Sequence, residues 1–153
     1  MEYLIVKWLH VLSSTVLFGT GIGSAFYLLV ASLSRDVRFT AGVTRWVVRA
    51  DWMFTATTAV LQPLTGLWLV HLMGMPLATR WLSASLVLYG IAIACWLPVV
   101  WLQMRLRDLA AQGVAQGELP AAYWRFFKAW VVLGIPALLA FLAIFWLMIA
   151  KPG

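Results

Sequence analysis

Charged residues are scarce in this sequence, and their scarcity excludes a soluble fold. Only 10% of the 153 residues are Asp, Glu, Lys or Arg, whereas 64% are hydrophobic. Soluble domains contain about 25% charged and about 45–50% apolar residues. We therefore expect residues 1–153 to form a single membrane domain, whose core arises from packing between helices inside the bilayer.

Several kinds of motif are absent as well. The single cysteine, Cys95, excludes an intramolecular disulfide, and within its apolar run we expect it to pack as a small hydrophobic residue. The sequence has no phosphate loop, no Ser/His/Asp set, no zinc-ligand spacing and no pair of carboxylates. The net charge of +6 comes from basic residues between apolar runs, where such residues set membrane orientation. The expected partner is the lipid bilayer, not nucleic acid.

Four apolar runs each have the length of a membrane span. They cover residues 4–31, 52–73, 81–102 and 126–150, and a bilayer core of about 30 Å needs about 20 apolar residues in a helix. The first run exceeds the roughly 7–15 residues of a signal-peptide apolar region, so we expect it to be retained. The sequence predicts an all-α fold, an integral membrane four-helix bundle with antiparallel up-down-up-down topology.

The three linkers differ in their predicted structure. The second half of linker 32–51 has no proline and a candidate N-cap at Thr40, which predicts a helix that continues into the second span. Linker 74–80 opens with Gly-Met-Pro and predicts a turn. Within linker 103–125, the string AAQGVAQGELP (110–120) predicts a polar loop ended by Pro120.

Basic residues are distributed unequally between the two sides of the predicted bundle. The side of the first and third linkers carries Arg35, Arg38, Arg45, Arg49, Arg105, Arg107, Arg125 and Lys128, whereas the opposite side carries Lys7, Arg80 and Lys151. The positive-inside rule therefore places these two linkers in the cytoplasm and both termini outside. The predicted location is the bacterial inner membrane, with periplasmic termini in a Gram-negative source.

The two histidines are the residues best suited to chemistry. His10 lies about two turns into the first span and His71 within a turn of the end of the second, so antiparallel spans place both toward one membrane face. Two imidazoles from neighbouring helices are suitable axial ligands for haem iron. Ser14 and Gly21 share the helix face of His10 and leave room for a flat macrocycle. The sequence thus predicts haem b held by His10 and His71.

The same features also have a purely structural interpretation. Gly19 and Gly23 form a small-xxx-small motif, which lets two helices pack closely. A histidine near the membrane interface can simply form a hydrogen bond there.

Five polar residues form one stripe along the second span, at spacings of four, three, four and three: Asp51, Thr55, Thr58, Gln62 and Thr65. Such a stripe must face protein or water, which leaves interhelical hydrogen bonding and a proton or quinone path as alternatives. His71 lies about 200° from Asp51 around an ideal helix, so it faces away from the stripe. For Asp51 itself we expect an ion pair with Arg105, Arg107 or Arg125.

Four strings in the chain carry a resemblance to a known family. They are ADWMFT (50–55), LQPLTG (61–66), CWLPVVWLQ (95–103) and FWLM (145–148). With them the chain resembles, over nearly its whole length, the bacterial four-span integral membrane family catalogued as domain-of-unknown-function 2269. The resemblance implies an inner-membrane helical protein and no established activity.

Lys7 and His10 carry a second, looser resemblance. A Lys-x-x-His near the start of the first span is similar to copper-resistance membrane proteins of the CopD type and to HemJ-type protoporphyrinogen oxidases. This chain has Phe-Gly-Thr-Gly at 18–21 where those relatives often have Trp-x-Gly-Gly, and its third span lacks the lysine of the HemJ-type enzymes. These departures argue against protoporphyrinogen oxidation.

Three functional hypotheses follow. The first is a small b-type redox protein with a membrane redox partner. The second is a non-enzymatic membrane subunit or homo-oligomer, packed through its small residues and its ten tryptophans. The third is a copper-handling or transport protein, for which Met73 and Met75 lie near His71.

Overall fold

The computed structural model describes residues 1–152. Its elements are α1 (Glu2–Ser34), α2 (Val37–Ala50), a π-helical turn (Asp51–Thr55), α3 (Ala56–Leu72), α4 (Arg80–Gln116) and α5 (Ala121–Ala150). Because α2, the π-helical turn and α3 are continuous, the described residues contain four helices that are long and apolar enough to cross a membrane. The predicted all-α membrane helical bundle is confirmed.

Three of the four predicted spans lie within longer helices, and the second ends one residue beyond Leu72. The largest difference is in the third. The polar loop predicted at residues 110–120 is wrong for residues 110–116, because residues 103–116 extend α4 to Gln116. This stretch is rich in Ala, Leu, Gln and Arg, which favour helix even where they are polar. The helix ends at Gly117, which adopts the left-handed conformation (φ 79°) and donates to the Gly113 carbonyl at 2.8 Å.

The helix predicted in the first linker is confirmed as α2, but its predicted cap is wrong. The N-cap is Asp36, whose carboxylate accepts a hydrogen bond from the Phe39 amide at 2.9 Å. Thr40 instead lies inside the helix, where its buried hydroxyl lies 2.8 Å from the Ala31 carbonyl at the end of α1. Thr40 therefore joins α2 to α1.

Neighbouring helices run antiparallel. On α1 and α3, His10 bonds Thr65 and Ser13 bonds Gln62, so a step of three residues forward on α1 matches three residues back on α3. The helices α4 and α5 show the same sense, because Tyr89 packs on Phe141 whereas Trp101 packs on Phe126. We call the two ends of the bundle the His10 end, where α1 begins and α5 finishes, and the Asp51 end.

The apolar core lies mainly at the Asp51 end. Ten buried residues cluster there, and they are Leu28, Ala41, Val47, Val99, Leu102, Leu106, Ala110, Tyr123, Phe127 and Trp130. The cluster at the His10 end has only three buried members: Val70, Trp81 and Leu82. The thinner core at the His10 end coincides with a cavity between the helices.

Pro63 lies inside α3 and removes one backbone donor from it. A proline leaves the carbonyl four residues earlier, here that of Ala59, without its helical partner. The Tyr89 hydroxyl on α4 donates to that carbonyl. Unsatisfied backbone groups are costly in a bilayer, so this bond lets the proline remain in the span and ties α4 to α3.

Candidate functional site

His10 is held at the contact between α1 and α3. Its Nδ1 lies 2.8 Å from Thr65 Oγ1, and Thr65 donates its single hydroxyl hydrogen to the Leu61 carbonyl at 2.7 Å. With that hydrogen on the Leu61 carbonyl, Nδ1 carries the proton and donates to Thr65. The imidazole is therefore held as the tautomer whose Nε2 is unprotonated, and among the described residues Nε2 has no hydrogen-bond partner.

Gln62 fixes the backbone that carries this imidazole. Its Nε2 donates to the His10 carbonyl at 2.8 Å and to Ser13 Oγ at 2.6 Å. Ser13, buried between the helices, donates in turn to the His10 carbonyl at 3.1 Å. Both amide hydrogens of Gln62 are thus used to hold α1 in register at His10.

Gly66 makes room for the ring. A Cβ atom at this position would lie 3.2 Å from His10 Cε1, closer than carbon atoms normally approach. A side chain at residue 66 would therefore push the imidazole by a few tenths of an ångström. The five-residue segment from Gln62 to Gly66 thus holds the His10 backbone, accepts a hydrogen bond from its ring and leaves space for that ring on one face of α3.

A cavity of about 380 Å³ opens beside His10, lined by side chains of α1, α3, α4 and α5. This volume is within the range of about 300–1,000 Å³ that is usual for ligand pockets. Its wall is mainly apolar and aromatic, with Trp81, Tyr89 and Phe145 among its members. Two cationic side chains, Lys7 and Lys151, belong to the same lining and are themselves exposed.

The structure brings two of the four predicted site residues to this cavity. His10 and Ser14 line it, and the Ser14 hydroxyl donates to the Val11 carbonyl of its own helix. Gly21 lies outside the lining and has open space beside it. His71, in the last turn of α3, is exposed and also lies outside the lining. The pair of axial histidines stays a prediction, since this arrangement does not bring His71 to the cavity.

The polar stripe lies along the contact between α1 and α3. Gln62 and Thr65 bond Ser13 and His10, and Ser24 lies 3.5 Å from the Asp51 carboxylate. Thr58 is different, because its hydroxyl bonds only carbonyls of its own helix. The stripe therefore forms interhelical hydrogen bonds at both ends of the bundle.

The ion pair expected for Asp51 is wrong. Within residues 1–152 the salt bridge that forms joins Arg107 to its neighbour Asp108 at 2.8 Å, and none involves Asp51. Asp51 is 3% exposed and accepts a hydrogen bond from Thr55 at 3.1 Å. Arg105 and Arg125 are exposed and Arg107 is half-buried, whereas the π-helical turn places Asp51 inside the bundle.

Sequence patterns did not predict the roles of Ser13, Gly66 and Lys151, nor the bond between Thr65 and His10. For Thr65 and Gly66 the sequence does contain an indication, because both share a helix face with Gln62. What was lacking is the identity of the helix that packs on that face. No group of three or more His, Cys, Asp or Glu side chains that could hold a metal ion occurs within the described part of the chain.

Comparison with known proteins agrees with this architecture. Neither the search of curated proteins nor the search of solved structures found a significant match. A family model described as a predicted integral membrane protein matches residues 4–152, almost the full length of the chain. The chain belongs to the DUF2269 family of predicted integral membrane proteins.

Proposed function

We propose that this chain is a membrane-embedded redox protein that binds haem b in the cavity at the His10 end, with His10 as an axial ligand. One observation carries the proposal: Thr65 takes the Nδ1 hydrogen of His10 and leaves Nε2 as a lone-pair donor in a residue that lines the cavity. Metal-bound histidines characteristically donate their other ring N–H to a second group, which fixes tautomer and orientation.

The remaining lining suits an amphipathic, flat ligand. Aromatic and aliphatic side chains from four helices form the wall, which matches a macrocycle. Lys7 and Lys151 supply positive charge at the exposed part of the lining, which matches the two propionates of haem. Bound there, haem b would supply one-electron chemistry.

The second axial position has two candidates. The Met148 thioether already lines the cavity, and His/Met ligation occurs in electron-transfer haem proteins. His71 lies two residues before Met73, another lining residue, and needs a rotation of the last turn of α3 to reach the cavity. We expect Met148→Ala or His71→Ala, but not both, to convert the low-spin spectrum to a high-spin one.

A matched pair of glycine variants tests the site itself. Gly66→Ala places a Cβ atom against the His10 ring, whereas a Cβ atom at Gly90, in α4, meets no atom within 4 Å. After reconstitution with haem in detergent, we expect Gly66→Ala to lose most of the Soret absorbance and Gly90→Ala to keep it. Equal absorbance in the two variants would place the haem, if any, away from His10.

The orientation of the bundle is part of this proposal. Arg35, Arg38, Arg45 and Arg49 lie at the Asp51 end, which we assign to the cytoplasmic side of a bacterial inner membrane. The haem then lies near the outer face, where Lys7 and Lys151 are accessible to a membrane redox partner. Alkaline phosphatase fused after residue 152 is expected to be active, and a fusion within α2 inactive.

A further inference from the structure

Asp51 is the acidic residue that the function proposed above does not use. It is 3% exposed and begins the π-helical turn, a distortion that is frequent at functional sites. The other four acidic side chains, Glu2, Asp36, Asp108 and Glu118, are all exposed. An ionisable residue inside a membrane span indicates a functional site by default.

The immediate neighbours of Asp51 give hydrogen bonds but no countercharge. Thr55 Oγ1 donates to Asp51 Oδ1 at 3.1 Å, and Ser24 Oγ approaches the same oxygen at 3.5 Å. Within residues 1–152 no lysine or arginine pairs with this carboxyl group. An ionised carboxylate here would bury a negative charge without a cation, which is costly.

Gln103 on α4 is the third polar side chain beside Asp51, and within residues 1–152 its amide oxygen lacks a hydrogen-bond donor. Its side chain is 4% exposed and lies beside the Asp51 carboxyl. Its Oε1 is buried and has no hydrogen-bond donor among the described residues. An unpaired buried acceptor is costly. Rotation of the amide about its last torsion exchanges its nitrogen and oxygen, so Gln103 can donate to an ionised Asp51 or accept from a protonated one.

A groove connects this group with the surroundings of the bundle. It has a volume of about 630 Å³ between α1 and α2, and its lining includes Gly23, Ser24, Gly42 and Ala50. Ser24 also hydrogen-bonds Asp51, so one residue joins the groove to the carboxyl.

We propose that Asp51 is a proton-binding site at the Asp51 end of the bundle. At neutral pH its side chain is a carboxylic acid whose O–H donates to Gln103 Oε1. On release, the O–H bond breaks and the proton passes to water in the groove. The carboxylate that remains accepts hydrogen bonds from Thr55, Ser24 and the rotated Gln103 amide. This inference does not rest on haem binding.

Few charged groups face this site. On α3 the sole titratable side chain, His71, lies at the opposite end of the bundle. The titratable or charged groups on the adjoining parts of the other elements are Tyr27 on α1, Arg38, Arg45 and Arg49 on α2, and Arg105, Arg107 and Asp108 on α4. Arg49 stacks on Trp46 and Arg107 pairs with Asp108, so neither neutralises Asp51.

Infrared spectroscopy of the full chain in lipid bilayers tests the proton directly. At pH 7 we expect the C=O stretching band of a protonated carboxyl, shifted in D₂O, lost in Asp51→Asn and kept in Asp108→Asn. Since the other acidic side chains are exposed, the wild-type band is assignable even where Asp51→Asn does not accumulate. Absence of the band in the wild type at pH 7 overturns the proposal.

Two further variants test the acceptor and the route. Gln103→Leu is expected to move the band to higher frequency, because the O–H loses its acceptor. Gly42→Leu, which fills the groove, is expected to slow hydrogen–deuterium exchange of the band, whereas Gly90→Leu leaves it unchanged. An unmoved band in Gln103→Leu, or a wild-type band that disappears when Na⁺ replaces choline, overturns the assignment of a proton shared with Gln103.

Discussion

The Tyr89 hydroxyl donates to the Ala59 carbonyl, the one that Pro63 deprives of its helical partner. The backbone hydrogen bond that is missing in α3 is thus replaced by a side chain thirty residues away on α4. Proline in a membrane helix is tolerated where a neighbouring helix satisfies the freed carbonyl, and here a single hydroxyl does so.

The energetic value of this bond is measurable in a double-mutant cycle. We expect Tyr89→Phe to lower the free energy of unfolding by about 1 kcal/mol, because the Ala59 carbonyl is left unpaired. In a Pro63→Ala background, which restores the backbone N–H, the same substitution should have almost no effect. Equal losses in the two backgrounds, measured by unfolding in mixed micelles, would show that Tyr89 acts only through packing.

Gln62 provides a second prediction about interhelical bonding. Gln62→Leu removes two hydrogen bonds to α1, each worth about 0.6 kcal/mol in membrane proteins, so we expect a loss of about 1 kcal/mol in the free energy of unfolding. Thr57→Ala is the control, because that exposed hydroxyl bonds only its own helix. A loss no larger than that of the control contradicts the assigned role of Gln62.

Gly113 is expected to be essential for the turn between α4 and α5. A Cβ atom there would lie 2.6 Å from the Glu118 carbonyl oxygen and 3.3 Å from Pro120 Cδ. Gly113→Ala should therefore force the turn away from α4 and cost about 1–3 kcal/mol. Gly134→Ala, which meets no atom within 4 Å, should leave thermal stability in detergent unchanged or raise it. Similar melting temperatures for both variants would refute this packing.

Thr65 determines the tautomer of His10. In ¹⁵N spectra of the cofactor-free protein we expect His10 with Nδ1 protonated and Nε2 bare, kept in Thr65→Ser and lost in Thr65→Val. The loss of such a second-shell partner typically weakens metal binding about 10–100-fold, so haem affinity should fall by that factor in the valine variant alone. An unchanged tautomer in Thr65→Val would mean that the hydroxyl does not orient the ring.

Much of the fold follows from composition and hydrophobic length, whereas the site depends on helix pairing. The four spans could be predicted because lipid-exposed helices must be apolar over about 20 residues. The extension of α4 through Gln116 could not, because a polar helix that packs outside the hydrocarbon resembles a loop in hydropathy. Its tight end depends on Gly113 approaching Glu118, a contact that periodicity does not show.

The two histidines show that position along a span does not by itself predict a site. Depth along the span placed His10 and His71 at one end of the bundle, but depth does not fix the direction in which a side chain points. The sequence shows that His71 and the Asp51 stripe lie on opposite faces of the second span. The structure shows that the face with the stripe packs on α1. His10 pairs with Thr65 on the stripe, and His71 is exposed.

The most direct test of the account is the absorption spectrum of the purified protein, expressed with ample haem and recorded oxidised and then dithionite-reduced. We expect a Soret band with sharp reduced α and β bands in the wild type, lost in His10→Ala and retained in Thr57→Ala. A spectrum that shows only aromatic absorbance, before and after reconstitution with haem, or a Soret band that persists in His10→Ala, would contradict haem binding at His10.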